Sequence, residues 1–409
     1  MGHFHRTIVV FYLALLEAII LLVGIGVVEG LHVNSKDIMK TIKSECGDII
    51  DCVDMYKRFP VLKVEDHNVK LKQAREHRKL LDRFAERNYI VPEQAWRRNG
   101  SCPEGTIPIR RSVISSNGEA ANHTASPFRF SGHPNLTTGT LLDEAKTNVE
   151  IAAAHSVSGP YHGAYAAIPI WKSHVEPGEY SMSYLLIGAS VDRHYQPIKG
   201  KEPPDTTYKI AVGAIIWPSV LGDDKPRFFV YYTNDDGVKS SCFNHDCDGF
   251  VQTSPNFALG GTFGDNYSQV GGQTYYIFVA IYRYPGTPVW RVSINEEEIG
   301  HFKTTTFPLG FFESLYNEMG GRVLNTRPGG RHTRTQMGSG MYASSGSKNA
   351  ANIAFYMAIN NNGGDQTDDP VNIVATSPKC YDAKDYGENQ GRAGYDIGFG
   401  GPGGYDCDS

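Results

Sequence analysis

The sequence predicts a mainly β protein whose C-terminal part is an antiparallel β-sandwich. Three observations predict it. From about residue 160 onward, short runs rich in β-branched and aromatic residues recur, turn formers separate them, and no long helical period intervenes. Composition agrees, with 44 Gly, 23 Tyr and 19 Phe against 8 Met, since aromatics fill pleated surfaces and glycine serves turns. The runs cover 163–171, 180–189, 207–217, 227–233, 274–282, 289–294 and 352–360. Residues 311–319 are expected to form one short helix. The tail Gly398-Phe-Gly-Gly-Pro-Gly-Gly-Tyr405 is expected to lack regular structure, tied down by Cys407.

At 409 residues the chain is long enough for about two or three domains. Hydrophobic residues at 40%, charged residues at 20% and a net charge of −5 describe an ordinary globular protein and exclude intrinsic disorder. No strongly basic domain exists, so nucleic acid is not expected as a partner. Residues 1–30 read as a signal peptide: a basic start, then an apolar stretch over 7–28 broken only by Glu17. Glu17 is costly in a permanent span, which favours cleavage over the alternative of an uncleaved anchor, and only that anchor makes the membrane a partner. Seven cysteines without a Cys-x-x-Cys pair fit an oxidising compartment, with one left over after pairing. Asn99, Asn122, Asn135 and Asn266 begin sequons and are candidate glycosylation sites. Together these features imply a secreted protein, extracellular or in a cell wall, with the vacuole as an alternative.

Between the leader and the strands, residues 69–87 carry Leu71, Ala74, Leu81, Phe84 and Ala85 near one helical face and read as a solvated amphipathic helix. Residues 112–150 are polar and unpatterned and read as a linker. Several chemical signatures fail. There is no His-Glu-x-x-His, and Gly188-Ala-Ser-Val-Asp192 lacks the second glycine of a nucleophile elbow. Asn244-His-Asp-Cys-Asp-Gly249 opens like a calcium loop, but Pro255 stands where a bidentate glutamate is required, and a turn closed by Cys242–Cys247 is the simpler reading. Residues 360–369 read as a loop with local side-chain bonds rather than a cation site. His162, His174, His194 and His332 are dispersed. No cofactor and no metal site is expected.

One resemblance is far more specific. Asp48-Ile-Ile-Asp-Cys-Val53, Cys102-Pro-Glu-Gly-Thr-Ile-Pro-Ile-Arg-Arg111, Cys242-Phe-Asn-His-Asp-Cys-Asp-Gly-Phe-Val-Gln252, His332-Thr-Arg-Thr-Gln-Met-Gly-Ser-Gly340 and the tail from Cys380 all resemble the plant neprosin family, in order and rough spacing. That resemblance implies an activation-peptide domain over 35–111 and a peptidase-like β-sandwich over 151–409, of a kind that cuts after proline in acid. It also implies Cys242–Cys247 and Cys380–Cys407 disulfides, with Cys52–Cys102 as a third proposal that leaves Cys46 over.

The family's peptidases use two glutamates, because paired carboxyls that perturb each other hold opposite protonation states in acid, one activating water and the other donating a proton. The resemblance places the first in Ile210-Ala211-Val212-Gly213-Ala214, where Ala211 stands in its place, and the second in Gly320-Gly321-Arg322-Val323, where Arg322 does. Alanine has no proton to exchange. Arginine stays protonated and serves as neither acid nor base. The motif tryptophan is replaced by Ala214, which is expected to alter the substrate cleft. The expected function is therefore a non-catalytic binding protein for a polypeptide or cell-wall polymer, with Arg322 offered to an acidic group. The alternative is an active acid prolyl endopeptidase using other carboxylates, for which Glu313, Glu318 and Glu296–Glu298 are the nearest candidates.

Overall fold

The computed structural model describes residues 33–60, 90–111, 149–156, 158–189, 208–235, 240–295, 297–362, 364–366, 370–388, 394–405 and 407. All seven predicted runs are strands within it. In chain order the strands are β1 (Ile38–Lys43), β2 (Ile49–Asp54), β3 (Thr106–Arg110), β4 (Val149–Ser156), β5 (Tyr161–Pro169), β6 (Ser181–Ala189), β7 (Tyr208–Ile216), β8 (Arg227–Thr233), β9 (Ser241–Phe243) and β10 (Phe250–Gln252). They continue with β11 (Tyr276–Tyr282), β12 (Val289–Ile294), β13 (Glu297–Lys303), β14 (Tyr316–Leu324), β15 (Ala351–Asn360), β16 (Asp365–Gln366), β17 (Val371–Ala375), β18 (Asp382–Glu388) and β19 (Tyr395–Gly400). The predicted signal peptide, the 69–87 helix, Asn122, Asn135 and the linker up to 148 lie outside the described residues.

The strands form two large antiparallel sheets and one small one. The seven-stranded sheet runs β17-β4-β14-β6-β7-β8-β9. The nine-stranded sheet runs β10-β13-β12-β11-β5-β15-β19-β18, with β16 on β15. Their inner faces share one core in which Leu185, Ile187, Ile210 and Val212 meet Ile277, Val279, Ile281 and Ile353. Because side chains alternate along a strand, the same residues leave the opposite face of the seven-stranded sheet to Met182, Tyr184, Leu186, Ala211, Ile215, Phe229, Tyr231 and Tyr316, a separate apolar cluster. The N-terminal sheet, β1-β2-β3, carries the Cys52–Cys102 disulfide. Cys242–Cys247 and Cys380–Cys407 are the other two disulfides, and Cys46 is the free thiol among the described residues. Local side-chain bonds appear at the start of the 360–369 stretch, where Asn360 Oδ1 accepts from the N–H groups of Asn362 and Gly364 at 2.9 and 3.0 Å, while Asp365–Gln366 form β16 against β15 and not loop, and 367–369 lie outside the described residues.

Three expectations need correction. Residues 311–319 are not a helix: β14 begins at Tyr316, its odd positions Met319 and Val323 enter the core, and its even positions Glu318 and Arg322 lie on the other face. Gly320 and Gly321 weaken any helix there. The tail is regular as far as Gly400, because β19 pairs with both β15 and β18 and buries Ile397 and Phe399. A Cβ at Gly398 would stand 2.3 Å from the Tyr386 ring, so the glycine is what lets that ring close over the strand. The last two residues assigned to the linker, Val149 and Glu150, are the first two of β4.

The Cys242–Cys247 turn meets the N-terminal unit through an Arg58–Asp248 ion pair at 3.2 Å. Within it the partly buried His245 bonds Gln252 Oε1 through Nε2 at 2.7 Å. Burial lowers this imidazole to about 4, with Arg58 adding to the effect and Gln252 opposing it. An unfolded histidine takes its proton near 6.5. The unfolded chain therefore binds the extra proton between those values, and stability falls as pH drops from about 6.5 to about 4. Melting temperatures across that window should decline in the wild type and decline less in His245→Gln; equal slopes would contradict the assignment. Non-reducing peptide mapping should recover all three linked pairs, and free thiols at Cys242 and Cys247 would contradict the fold near β9.

Candidate functional site

The site lies on the outer face of the seven-stranded sheet, where β14 sits between β4 and β6. Pairing sets its rows. His155, Glu318, Leu186 and Ala211 form one row, and Ile151, Arg322, Met182 and Ile215 form another. Between them runs Ala153, Gly320, Tyr184 and Gly213. Gly320 has φ +156, and a Cβ there would stand 2.4 Å from the Ala152 carbonyl oxygen. With no side chain at Gly320, Glu318 and Arg322 lean toward each other along the strand, and Tyr184 fills the space beside them.

The result is a closed polar cluster with 1% or less of each residue exposed. Arg322 donates from its terminal nitrogen to Glu318 Oε1 at 2.5 Å and from Nε to the Tyr184 hydroxyl at 2.7 Å. Tyr184 donates in turn to Glu318 Oε1. The other carboxylate oxygen, Oε2, takes His155 Nε2 at 2.6 Å. The guanidinium also lies over the Tyr184 ring, 5.1 Å from its centroid. Burial pulls Arg322 down, but Glu318 and Tyr184 outweigh it and hold the guanidinium above its ordinary value. Burial pushes the Tyr184 phenol well up, with Arg322 opposing and Glu318 adding, and takes Tyr180 to about 12. Each phenol therefore keeps its proton at any ordinary pH. Among the described strand residues of this face, Glu318 is the one carboxylate.

A second polar network lies at the end of the sandwich. Glu179, fully buried, accepts from Thr326 N–H and Oγ1 at 2.9 Å each, from Thr333 Oγ1 at 2.5 Å and from Thr335 Oγ1. Glu150 accepts from Asn325 Nδ2 at 2.8 Å and meets His332 Nδ1 at 3.0 Å. Thus His332, Thr333 and Thr335 of the His-Thr-x-Thr-Gln motif brace the 325–335 loop. His332 also lies with the Cys380 and Cys407 sulfurs within 4.8 Å, but those sulfurs are spent in a disulfide and are not thiolate ligands.

Residues 179–402 match the family model described as Neprosin, and residues 41–121 match the one described as Neprosin activation peptide. The chain belongs to the neprosin family. Among solved structures it is similar to scytalido-glutamic peptidase with a transition state analog inhibitor, at 9% identity and a TM-score of 0.34 over 63% of this chain and 98% of that one. It is also similar to CG-16, a homodimeric agglutinin from chicken liver, at 12% identity and a TM-score of 0.18 over 44% and 88%. Both likenesses are too loose to transfer a mechanism.

The two positions that the neprosin resemblance assigns to glutamates share this face but not a row. Ala211 pairs with Leu186 and Arg322 with Met182, four residues along the same strand, or about 14 Å at roughly 3.4 Å per residue. Ala211 shares its row with Glu318 instead. Ala214 is three residues from Ala211 on an unbroken strand, so it points to the opposite face and lines a small recess with Trp171, Ser173, Ser181 and Ser183. Ala214 therefore bears on that recess and not on the face that holds Ala211. Three other candidate acids are engaged elsewhere: Glu313 is half-exposed at 3.9 Å from His162, Glu297 accepts from Asn256 Nδ2 at 2.9 Å, and Glu298 pairs with Arg291 at 2.7 Å; Glu296 lies outside the described residues. Of the two described sequons, Asn99 is exposed and Asn266 half-buried beside a buried Ser268. Sequence reasoning missed His155 and Tyr184, which reach Glu318 only through the strand order.

Glu179→Ala strands the buried Thr333 and Thr335 hydroxyls and frees both donors of the exposed Thr326, and should cost on the order of 3 kcal/mol in urea unfolding, with faster amide exchange over 325–335. A loss below about 0.5 kcal/mol would refute the bracing role.

Proposed function

We propose that this neprosin-family protein is secreted and binds a polypeptide or a wall polymer without hydrolysing it. One observation carries the reading. Where acid catalysis needs two carboxyls able to trade a proton, the described strand residues of this face offer a single carboxylate, Glu318, already held by Arg322, Tyr184 and His155, while Ala211 supplies nothing. The three disulfides favour an oxidising compartment. Arg322 itself is no receptor for an acidic group, since its charge is buried and matched by Glu318.

A second reading keeps activity, and Glu318 is what favours it: a buried carboxyl in the row of Ala211, beside a phenol and an imidazole. Purified protein incubated with a proline-containing peptide at pH 3–5 separates the two by mass spectrometry. The peptide should remain intact. Cleavage after proline that disappears in Glu318→Gln would establish the second reading and reject the first.

A further inference from the structure

The stretch Thr326-Arg-Pro-Gly-Gly-Arg-His-Thr-Arg334 carries three arginines, one histidine and no acid, on a chain whose net charge is −5. It is braced from beneath. Glu179 accepts from the Thr326, Thr333 and Thr335 hydroxyls, Glu150 meets His332, and Asn325 Nδ2 donates to the Arg331 carbonyl at 2.8 Å. Those bonds satisfy the polar groups that face inward and leave the arginines outside: Arg331 and Arg334 are exposed, and the Arg327 side chain is 32% exposed. Gly329 and Gly330, at φ +71 and +73, turn the chain between Arg327 and Arg331, and a Cβ at either would meet nothing within 4 Å, so the turn stands open between the two guanidiniums.

The C-terminal tail completes the patch. Gly404 N–H donates to the Thr333 carbonyl at 2.7 Å, and a Cβ at Gly403 would stand 2.4 Å from that same oxygen, so the bare backbone there lets the tail lie against the loop. The Cys380–Cys407 disulfide ties the tail from its other side. Tyr405 is thereby set beside the loop, and both Arg327 and Arg334 lie over its ring, at 5.0 and 4.3 Å from the centroid. One ring gathers two like charges, whose repulsion is relieved by an anion lying across them. Glu176 pairs with Arg327. Among the described residues neither Arg331 nor Arg334 pairs with a carboxylate, and Asp406 and Asp408 lie outside them.

Guanidinium forks match carboxylates in bidentate pairs. A polymer that repeats one carboxylate per unit engages several forks at once, and a stiff chain loses less freedom on a braced surface than a flexible acidic peptide does. We propose that Arg327, Arg331, Arg334 and Tyr405 form a docking surface for an acidic polysaccharide, a chain of uronate residues. The proposal rests on the reading of this protein as a binder of a polypeptide or a wall polymer and names which of the two. Arg322, buried and matched by Glu318, is not part of this surface.

The test is a titration of the full chain with polygalacturonate at low salt and neutral pH. Binding should be measurable there and weaken at least tenfold at physiological salt. Arg331→Gln together with Arg334→Gln, both at exposed positions, should weaken it at least tenfold with the melting temperature unchanged. Glu176→Gln, which removes the counter-charge of Arg327, should tighten it; unchanged affinity there removes Arg327 from the surface. Methyl-esterified polygalacturonate, the same chain without its charges, should not bind. No binding of polygalacturonate, or binding that the double variant leaves unchanged, overturns the proposal. Tighter binding of poly-glutamate than of polygalacturonate overturns it too, and makes the partner an acidic polypeptide. Each of these failures leaves the non-hydrolysing reading standing, because that reading falls on cleavage of the proline-containing peptide.

Discussion

The buried pair of Glu318 and Arg322 governs what this face of the sheet can do. Taking two charges out of water is costly, and their attraction compensates only when the geometry is good and the remaining lone pairs and protons are satisfied. Tyr184 and His155 supply those bonds, and the missing side chain at Gly320 supplies the room. Each partner then needs the other. A carboxylate fixed by a guanidinium, a phenol and an imidazole is a structural anion, and a guanidinium so matched is not available to a ligand. Arg322 does more than supply no acid, because it locks the neighbouring acid Glu318 into the fold.

The same logic recurs at two other places. Glu179 gathers Thr326, Thr333 and Thr335 to hold the 325–335 loop, and Asp48 gathers Arg110 and Arg227 to hold the N-terminal unit. In each case a buried carboxylate is saturated by donors from chain segments distant in sequence. These three carboxylates fix the parts of the structure that the apolar core does not reach: one loop, one face and one flanking sheet. Nonpolar packing between the two large sheets supplies the bulk of the cohesion, and the carboxylates set which segments sit where.

Strands built of β-branched and aromatic residues were legible, because their composition and their burial agree; β7 and β11 are examples. β4 was not. Its Val-Glu-Ile-Ala-Ala-Ala-His-Ser has only Val149 and Ile151 as strand formers, and it is a strand because Ala152 and Ala154 pack into the core between β14 and β17. β19 hid behind its glycines, which make room for Tyr386 rather than mark a loop. At the site, the family motifs located Ala211 and Arg322, but His155 lies 163 residues from Glu318 and Tyr184 lies 134 from it. Only the order β4-β14-β6 brings them together, and no spacing in the sequence encodes that order. Ala214 illustrates the converse: its position in the motif suggested the cleft, and strand alternation places it on the other face.

The central claim is that Glu318 and Arg322 act as one unit, and a double-mutant cycle in urea unfolding tests it most directly. Glu318→Leu and Arg322→Met should each destabilise the protein by about 3–5 kcal/mol, since each leaves an uncompensated buried charge. The double variant should recover about 2–3 kcal/mol of the summed loss. Losses that add within about 0.5 kcal/mol would show two independent side chains, and the account of a closed, mutually dependent pair would not stand.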